Sequence, residues 1–224
     1  MIRIRRFNKH KEPQSIDVDY PISSGLNLLA LLYKIKQTLD PTLTFGGSCR
    51  SGVCGSCAVM VNNKATLACS YIPQDGDYIE PLSYHEPKRD LLVEKSKSLS
   101  TLKRAQAWQN EPTPLSQKET QAIEVQTNCI LCHSCYAACP VMEVNSDFLG
   151  PFALTRAFRY ATHDVAHIQT NGIWDCTLCG ECTVACPQGI DPKMDIMNLR
   201  AKSVQQGFND PNFANMNFGF IDGL

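Results

Sequence analysis

The sequence predicts an α+β protein with a strand-rich N-terminal domain and an all-α C-terminal domain. Patterns typical of half-buried strands are confined to the first part of the chain, where they surround one helical segment. Strand patterns fade beyond about Pro87, and helical patterns then alternate with two cysteine-rich runs. The predicted domains are residues 1–95 and 96–224, which the 224-residue length accommodates.

Two strands, one helix and a hairpin make up the predicted N-terminal domain. The strands are IRIRRF and SIDVDY, whose residues alternate between two faces. The helix is LNLLALLYKIKQTL, with Ser23 or Ser24 as its N-cap and residues 40–41 at its end. The hairpin pairs AVMV with ATLAC around a turn at residues 62–64. A mixed sheet around one helix, with a cysteine-rich loop between helix and hairpin, is the β-grasp arrangement of plant-type ferredoxins.

Helices dominate the predicted C-terminal domain. The connection between the domains is predicted to be helical over RDLLVEKSKSLSTLKRAQAW, and a polar surface stretch follows over EPTPLSQKE. Three further helices are predicted over SQKETQAIEV, PFALTRAFRYATHD and DIMNLRAKSVQQ. Pro151 stands at a predicted helix start, and Pro187 and Pro192 end the last cysteine-rich loop.

The composition is that of an ordinary globular protein. Hydrophobic residues make up 43% and charged residues 19% of the chain. The formal net charge of -1 gives no reason to expect nucleic acid as a partner. No apolar run approaches the roughly 18 residues of a transmembrane helix, and Arg5-Arg6 is followed by no apolar export signal. We therefore expect a cytoplasmic protein that reaches the cytoplasmic face of a membrane only through a partner.

Twelve cysteines are the outstanding feature of the sequence. They form three sets: Cys49, Cys54, Cys57 and Cys69; Cys129, Cys132, Cys135 and Cys139; Cys176, Cys179, Cys182 and Cys186. Disulfides need an oxidising compartment that nothing in the sequence indicates, and crowded C-x-x-C runs have poor disulfide geometry. Structural zinc sites usually join two separated cysteine pairs, whereas three cysteines in one C-x-x-C-x-x-C run suit a cubane cluster. The cysteines therefore predict iron bound in iron–sulfur clusters, which should also stabilise two small domains.

The first set has the C-x4-C-x2-C spacing and a distant fourth cysteine, the pattern of a plant-type [2Fe–2S] cluster. Small residues between the ligands, such as Gly52 and Gly55, let backbone N–H groups turn toward the sulfides. Arg50 is interpreted as a contact for a partner, a counter-charge to the cluster or a solvated side chain.

The other two sets repeat the C-x2-C-x2-C-x3-C-P run, which predicts two [4Fe–4S] clusters. In paired runs the fourth cysteine of each binds the other cluster. One predicted centre therefore consists of Cys129, Cys132, Cys135 and Cys186, and the other of Cys139, Cys176, Cys179 and Cys182. His133, between two ligands, is interpreted as a loop histidine, with tuning of the neighbouring potential as the alternative.

No motif in the chain indicates catalysis by the chain itself. There is no nucleotide-binding fingerprint and no convincing acid/base or nucleophile group. His163, Asp164 and His167 lie close in sequence, but surface or core roles explain them better. We expect no substrate-converting site in this chain.

The order of the cysteine motifs and the segments between them resemble the iron–sulfur subunit of succinate dehydrogenase and fumarate reductase. The resemblance covers nearly the whole chain and includes SCRSGVCGSCAVMVNNKATLAC, PLSYHEPKRDLLVE, FLGPFALTRAFRYATHD and CPQGIDP. It implies a partner flavoprotein that holds FAD and interconverts succinate and fumarate. It also implies that this subunit passes single electrons between flavin and quinone, with its [2Fe–2S] centre facing the flavin.

Three departures from the usual family pattern stand out. Cys179 occupies a position where the usual member lacks cysteine and holds a [3Fe–4S] cluster. The residues after Cys139-Pro140 are Val141-Met142-Glu143 where Ser and Trp often help to form a quinone pocket, and Gly46-Gly47 replaces basic residues. These features resemble a less usual branch whose membrane-associated partner is cysteine-rich.

The resemblance implies an electron-transfer subunit of a succinate:quinone oxidoreductase or fumarate reductase. A thiol-driven fumarate reductase is the related alternative, in which a thiol couple replaces the quinone. A free soluble multi-cluster ferredoxin is the alternative from another class, but such carriers are typically small and acidic.

Overall fold

The computed structural model of the protein describes residues 1–108, 114–160 and 165–212. The N-terminal strands are β1 (Ile2–Phe7), β2 (Ser15–Tyr20), β3 (Ala58–Val61), β4 (Lys64–Leu67) and β5 (Tyr78–Glu80). They form one mixed sheet in the order β2-β1-β5-β3-β4, in which β1 and β5 are parallel and the other neighbours antiparallel. This sheet packs against a single helix, α1 (Leu28–Thr38), which confirms the predicted β-grasp.

The sheet and α1 enclose the N-terminal core. The alternation of IRIRRF buries Ile2 and Ile4 completely on one face of β1. Five apolar side chains of α1 lie against this face: Leu28, Leu29, Leu31, Leu32 and Ile35. Because burying a side chain of this kind stabilises a fold by about 1.5–3 kcal/mol, this core is the main support of the N-terminal part.

The ends of α1 and of the β3–β4 hairpin are set by local polar groups. The predicted N-cap at Ser23 or Ser24 is wrong, because Asn27 accepts the Ala30 N–H at 2.9 Å and the helix starts after it. Asn62 and Asn63 both have positive φ and form the two-residue hairpin turn, while Lys64 already belongs to β4. Asparagine suits such a turn because it tolerates the left-handed region.

The connection between the two parts differs from the prediction. Its first half is not helical but a short hairpin of β6 (Pro87–Arg89) and β7 (Leu92–Val93), and only α2 (Ser96–Arg104) is helical. Asp90 in the turn is 1% exposed and accepts from the Arg6 guanidinium at 2.9 Å and from the Thr44 N–H at 2.8 Å. This buried anchor holds the segment in its turn and prevents a continuous helix.

The described residues beyond 96 contain helices and no strand, as predicted. Six further helices follow α2: α3 (Gln117–Ala122), α4 (Ser134–Ala137), α5 (Val141–Val144), α6 (Pro151–Tyr160), α7 (Glu181–Val184) and α8 (Pro192–Gln205). The predicted α3 is shorter than expected, because a 3₁₀ turn replaces its end at Val125–Asn128. Helix α8 starts earlier than expected, with Asp191 as N-cap and Pro192 in its first turn.

The second core lies between α6 and α8. Phe148, Phe152, Leu154, Ile196 and Leu199 are all at most 2% exposed there. Pro151 opens α6 as predicted, whereas residues 161–164 of that predicted helix lie outside the described residues, as does part of EPTPLSQKE. The boundary between residues 95 and 96 stays a prediction.

Candidate iron–sulfur sites

The first cysteine set surrounds the loop between α1 and the β3–β4 hairpin. Cys49, Cys54 and Cys57 lie on this loop, and Cys69 follows β4. The Ser51 N–H donates to Cys49 Sγ at 3.4 Å. Together with the Cys54 side chain and the Val53 N–H, it lowers the pKa of the Cys49 thiol to about 6. Asn27, the cap of α1, donates to the Cys69 carbonyl at 3.0 Å. The helix and the hairpin together therefore position the four cysteines.

Close backbone approach explains the glycines that precede this set. A Cβ at Gly46 would lie 2.1 Å from the Ser56 carbonyl oxygen, so only glycine fits there. The departure from basic residues at this position thus has a local steric cause. Arg50 is exposed, and its guanidinium carbon lies 5.0 Å from the centre of the Tyr33 ring.

The two C-terminal runs fold into one repeated loop. In each run a leucine has positive φ: Leu131 has φ 50° and Leu178 has φ 58°. His133 and Gly180 occupy equivalent positions in the left-handed region, with φ 68° and 90°, and each precedes a one-turn helix, α4 or α7. The sequence repeat is therefore also a structural repeat.

Three cysteines of the second set and the last cysteine of the third set line one small cavity. Its lining includes Cys129, Cys132, Cys135 and Cys186, together with His133, Phe152 and Thr155. Burial raises the pKa of Cys135 well above its usual value, and neighbouring thiols, Cys186 among them, raise it further. The structure thus brings together the four cysteines of the first predicted cubane centre, including the one from the other run.

The remaining four cysteines also come together. Burial raises the pKa of Cys139 to about 11, and the thiols of Cys176 and Cys179 raise it further. Burial likewise raises the pKa of Cys182 to about 12, with added contributions from the same neighbours. Cys179 is the exposed member of this group.

The donor set fits iron–sulfur clusters. All twelve cysteines are free, and five of them are buried: Cys57, Cys69, Cys132, Cys139 and Cys182. Burial raises the pKa of three of these thiols, so they resist ionisation without a bound cation: Cys57, Cys139 and Cys182. Within the described part of the chain, no three His, Cys, Asp or Glu side chains surround the position of a single metal ion. A cluster needs the wider arrangement seen here, since its cysteines are shared among two irons in a [2Fe–2S] cluster and bind one iron each in a [4Fe–4S] cluster.

The first and second cysteine loops touch each other. A Cβ at Gly55, where φ is 68°, would lie 2.7 Å from the Cα of Cys132. The third loop also reaches the first, since Gln188 Nε2 donates to the Gly52 carbonyl at 2.9 Å. The loop of the N-terminal part therefore packs directly on the cysteine loops of the helical part.

Several side chains at this junction were not predicted from the sequence. His133 is 1% exposed and contacts His85 and Ser98, so it is a buried residue of the junction and not an ordinary loop histidine. Lys95 lies close enough to the thiols of Cys54 and Cys132 to interact with them electrostatically, although burial lowers its pKa. Their positions depend on contacts between segments that are distant in the sequence, and no local motif predicts such contacts.

Other residues singled out in the sequence pack in the core or contact the backbone. Val141 and Met142 are buried in the second core, at 6% and 4% exposure. His167 Nε2 lies 3.0 Å from the Ala105 carbonyl oxygen, while His163 and Asp164 lie outside the described residues. None of the helices in the described ranges is both long and apolar enough to cross a membrane.

A β-grasp with four cysteines, packed against a helical part with two paired cysteine runs, defines an iron–sulfur electron-transfer protein. Family models agree: a 2Fe-2S iron-sulfur cluster binding domain matches residues 1–100, and a 4Fe-4S dicluster domain matches residues 125–190. The predicted cluster types are thereby confirmed.

Similarity to known proteins assigns the chain to one family within this class of iron–sulfur proteins. The fumarate reductase iron-sulfur subunit of Haemophilus influenzae is 33% identical, over 91% of this chain and 93% of its own length. The 8-methylmenaquinol:fumarate reductase iron-sulfur subunit of Wolinella succinogenes is 35% identical, over 81% of this chain and 65% of its own length. A chain of the Mycobacterium smegmatis Sdh1 complex shares the fold, with a TM-score of 0.76 at 18% identity, and the match covers 93% of this chain and 96% of that one. The chain belongs to the family of fumarate reductase and succinate dehydrogenase iron–sulfur subunits, as its cysteine motifs predict.

Proposed function

We propose that this chain relays single electrons between a FAD-containing flavoprotein subunit and a membrane-associated, quinone-side partner. The complex would be a succinate:quinone oxidoreductase or a fumarate reductase on the cytoplasmic face of the membrane. The observation that carries the proposal is the direct packing of the three cysteine loops, with Gly55 against Cys132 and Gln188 against Gly52. Contiguous loops of this kind support electron transfer from one end of the chain to the other.

The chain's own residues would bind and tune the redox centres. When bound, the clusters supply one-electron carriers, and the protein supplies ligands, exclusion of water and electrostatics. Backbone N–H groups such as that of Ser51 stabilise negative charge on the cysteine sulfurs. The Lys95 ammonium would offset the negative charge of the first two centres, since it interacts with thiols of both.

We assign the ligands as three sets of four. The [2Fe–2S] cluster would be held by Cys49, Cys54, Cys57 and Cys69. The first [4Fe–4S] cluster would be held by Cys129, Cys132, Cys135 and Cys186. The second would be held by Cys139, Cys176, Cys179 and Cys182. The shared cavity and the mutual effects on thiol pKa values support the exchange of Cys139 and Cys186 between the runs.

Iron content and electron paramagnetic resonance test this assignment. With Cys179 as a ligand, anaerobically purified protein should contain about ten irons, against about nine if a three-iron cluster is present. The Cys179→Ser variant should gain the signal of an oxidised three-iron cluster that the unsubstituted protein lacks. A stoichiometric signal of that kind in the unsubstituted protein would contradict the role of Cys179.

Exposed residues near the two end sites suggest where the partners dock. Val53, 63% exposed beside the first set, would contact the flavoprotein. Val144 and Val184, each more than 80% exposed, follow Cys139 and Cys182 closely and would contact the quinone-side partner. Because Val141 and Met142 are buried, we infer that the partner supplies most of the quinone pocket.

The experiment that tests the function uses the chain with its flavoprotein. Together they should transfer electrons from succinate to an artificial acceptor, whereas the chain alone should not. Val53→Glu should weaken flavoprotein binding, and Ile16→Glu, at a 52% exposed position on the edge strand β2, is the matched control. Succinate oxidation by the chain alone would contradict the proposal, as would a purified native complex without a flavoprotein.

A further inference from the structure

Helix α6 contains an arginine whose charge has no partner in the described part of the chain. Arg156 is half-buried, and its Nε–H is buried without a hydrogen-bond acceptor among the described residues. The ion pairs within the described ranges do not include it. Buried charges in proteins are normally paired, and a buried donor without an acceptor costs about 1–3 kcal/mol. We therefore expect an anion near this guanidinium.

The packing of α6 brings Arg156 toward the first cubane site. Phe152 and Thr155 of this helix line the cavity of that site. Arg156 follows Thr155 directly and lies one turn after Phe152, on the same side of the helix. Helix α6 also packs against the 3₁₀ turn at Val125–Asn128, which ends at Cys129. These contacts place the part of α6 that contains Arg156 next to the first ligand of the site.

Electrostatic interaction connects Arg156 to the cysteine site and not to a carboxylate. Burial raises the pKa of the Cys129 thiol, and the positive charge of Arg156 opposes this increase. Asp195 is the buried carboxyl in the described chain beyond residue 96. Burial raises its pKa, and the described side chains that also shift it are Gln126, Thr155 and Asp191. Because a guanidinium keeps its charge at every pH at which proteins are folded, this attraction does not depend on a titration of Arg156.

The second cubane site also has an arginine beside its first cysteine, but that arginine is bound differently. Arg200 of α8 donates from Nε to the Ile173 carbonyl at 2.8 Å and from Nη2 to the Cys176 carbonyl at 2.5 Å. Its guanidinium carbon lies 5.4 Å from the centre of the Trp174 ring. Arg200 therefore fixes the backbone of its loop, whereas the buried Nε–H of Arg156 binds no carbonyl within the described ranges. A structural role of this kind does not explain Arg156.

We propose that Arg156 is the counter-charge of the first [4Fe–4S] cluster and raises the midpoint potential of that cluster. The inference rests on the proposed function, since it requires the cubane centre assigned above. A cluster held by four thiolates is negatively charged, and reduction makes it more negative. A fixed positive charge beside it therefore stabilises the reduced form more than the oxidised form. Arg156 thus sets the potential of the centre whose cysteine loops contact the [2Fe–2S] loop.

Substitutions of Arg156 separate its charge from its packing. Methionine keeps a long apolar side chain without the charge, and lysine keeps the charge on a stem of similar length. Arg156→Met should therefore shift the midpoint potential of the first cubane centre to a lower value, and Arg156→Lys should retain most of the original potential. Potentiometric titration followed by electron paramagnetic resonance measures this on the full chain, purified anaerobically with its clusters. Arg156→Gln is a second neutral variant and should lower the potential as Arg156→Met does.

Arg159 provides the matched control on the same helix. It is also half-buried, but it lies almost one turn further along α6, and its guanidinium carbon is 4.9 Å from the centre of the Tyr160 ring. Arg159→Met removes the same charge and should shift the potential of the first cubane centre much less than Arg156→Met. The [2Fe–2S] and second cubane centres are internal controls, whose potentials should stay close to their original values in all variants. Hydrogen exchange of the α6 amides should be equal in the two methionine variants, which excludes local unfolding as the cause.

The outcomes distinguish the inference from the function on which it rests. Absence of a cubane signal and of its iron in the unsubstituted protein would overturn the proposed ligand set. With the centre present, an unchanged potential in Arg156→Met and Arg156→Gln would overturn the role of Arg156 as counter-charge. Equal shifts in Arg156→Met and Arg156→Lys would show an effect of packing alone and would overturn it as well. An equal shift in Arg159→Met would show a general effect of positive charge on α6, which also contradicts a specific role of Arg156.

Discussion

The N-terminal and C-terminal parts use the same four-cysteine chemistry but support it differently. In the N-terminal part the cysteine loop is attached to a sheet and to α1, whose five buried apolar residues belong to a core of their own. In the C-terminal part α4, α5 and α7 have only four residues each, and α4 and α7 lie within the cysteine runs. Isolated helices shorter than about 12–15 residues are marginal in water. We therefore expect the helical part to depend on its clusters for stability more than the sheet does.

The largest expected effect comes from removing one cluster ligand in each part, which tests whether the two parts depend differently on their clusters. Cys182→Ser should remove cluster binding from the helical part and expose the amides of α4 to α8 to hydrogen exchange. The reason is that the one-turn helices α4, α5 and α7 then lose the clusters that support them. Cys57→Ser should remove the [2Fe–2S] cluster but leave the amides of β1 and α1 protected. The two cysteines are comparably buried, at 6% and 3% exposure, which makes the pair well matched.

Hydrogen exchange with mass spectrometry, together with iron analysis, measures both effects. Protection in the sheet is the control in Cys182→Ser, and protection in α6 is the control in Cys57→Ser. Loss of protection throughout the chain in both variants would show that the sheet also needs its cluster. Full protection of α4 in Cys182→Ser would show that the helical part folds without it.

Local patterns predicted what local forces determine. The alternation of IRIRRF, the apolar stripe of α1 and the two asparagines of the hairpin turn are all properties of neighbouring residues. Cysteine spacing predicted the three sets for the same reason, since the ligand geometry lies in short loops. The family and cluster types follow from these motifs and are confirmed by the comparisons.

Long-range contacts explain what the sequence did not reveal. The β6–β7 hairpin forms because Asp90 is buried beside Arg6, which is 84 residues away in the chain. Asn27 caps α1 while it also reaches Cys69, a contact that favours it over the nearby serines. The burial of His133 likewise depends on His85 and Ser98, and no spacing rule connects these residues.

Buried charge also differs between the two parts. In the N-terminal part Asp90 is paired with the Arg6 guanidinium. In the helical part Asp195 is 2% exposed and accepts from the neutral amide of Gln126 at 2.7 Å. Burial raises the pKa of Asp195 from 3.8 to about 6. An acid with a raised pKa stabilises the fold while it is protonated, and that contribution is lost as the pH rises from about 4 through about 6.

Asp195→Asn should remove this pH dependence. The variant should gain stability relative to the unsubstituted protein between pH 5 and pH 8, by up to about 3 kcal/mol over the full titration. The free energy of unfolding of the cluster-loaded chain, measured for both proteins at each of these two pH values, gives this change in stability. Asp191→Asn is the control, because the Thr183 hydroxyl lowers the pKa of Asp191 and its titration lies below this range. If the free energy of unfolding of Asp195→Asn differed from that of the unsubstituted protein by the same amount at every pH in this range, the prediction would be contradicted.

The contact between the two parts gives the smallest expected effect. Gly52 and Gly55 both have positive φ, 78° and 68°, so alanine at either should destabilise the loop by about 1–2 kcal/mol. Their surroundings differ, because a Cβ at Gly52 meets only Ser70 Oγ at 3.5 Å, whereas one at Gly55 lies 2.7 Å from the Cα of Cys132. Gly55→Ala should therefore also push the two cysteine loops apart.

Spin coupling between the reduced [2Fe–2S] and first cubane centres measures this separation, since magnetic interaction falls as the distance between the centres grows. The coupling should decrease in Gly55→Ala and stay unchanged in Gly52→Ala, although both variants lose similar stability from their backbone conformation. Iron content should be equal in the two, which excludes loss of a cluster as the cause. An equal decrease in both variants would mean that loop strain, not the contact with Cys132, sets the distance between the sheet and the helical part. An unchanged coupling in Gly55→Ala would mean that the junction yields elsewhere, and the two parts would then be joined less rigidly than the Gly55–Cys132 contact implies.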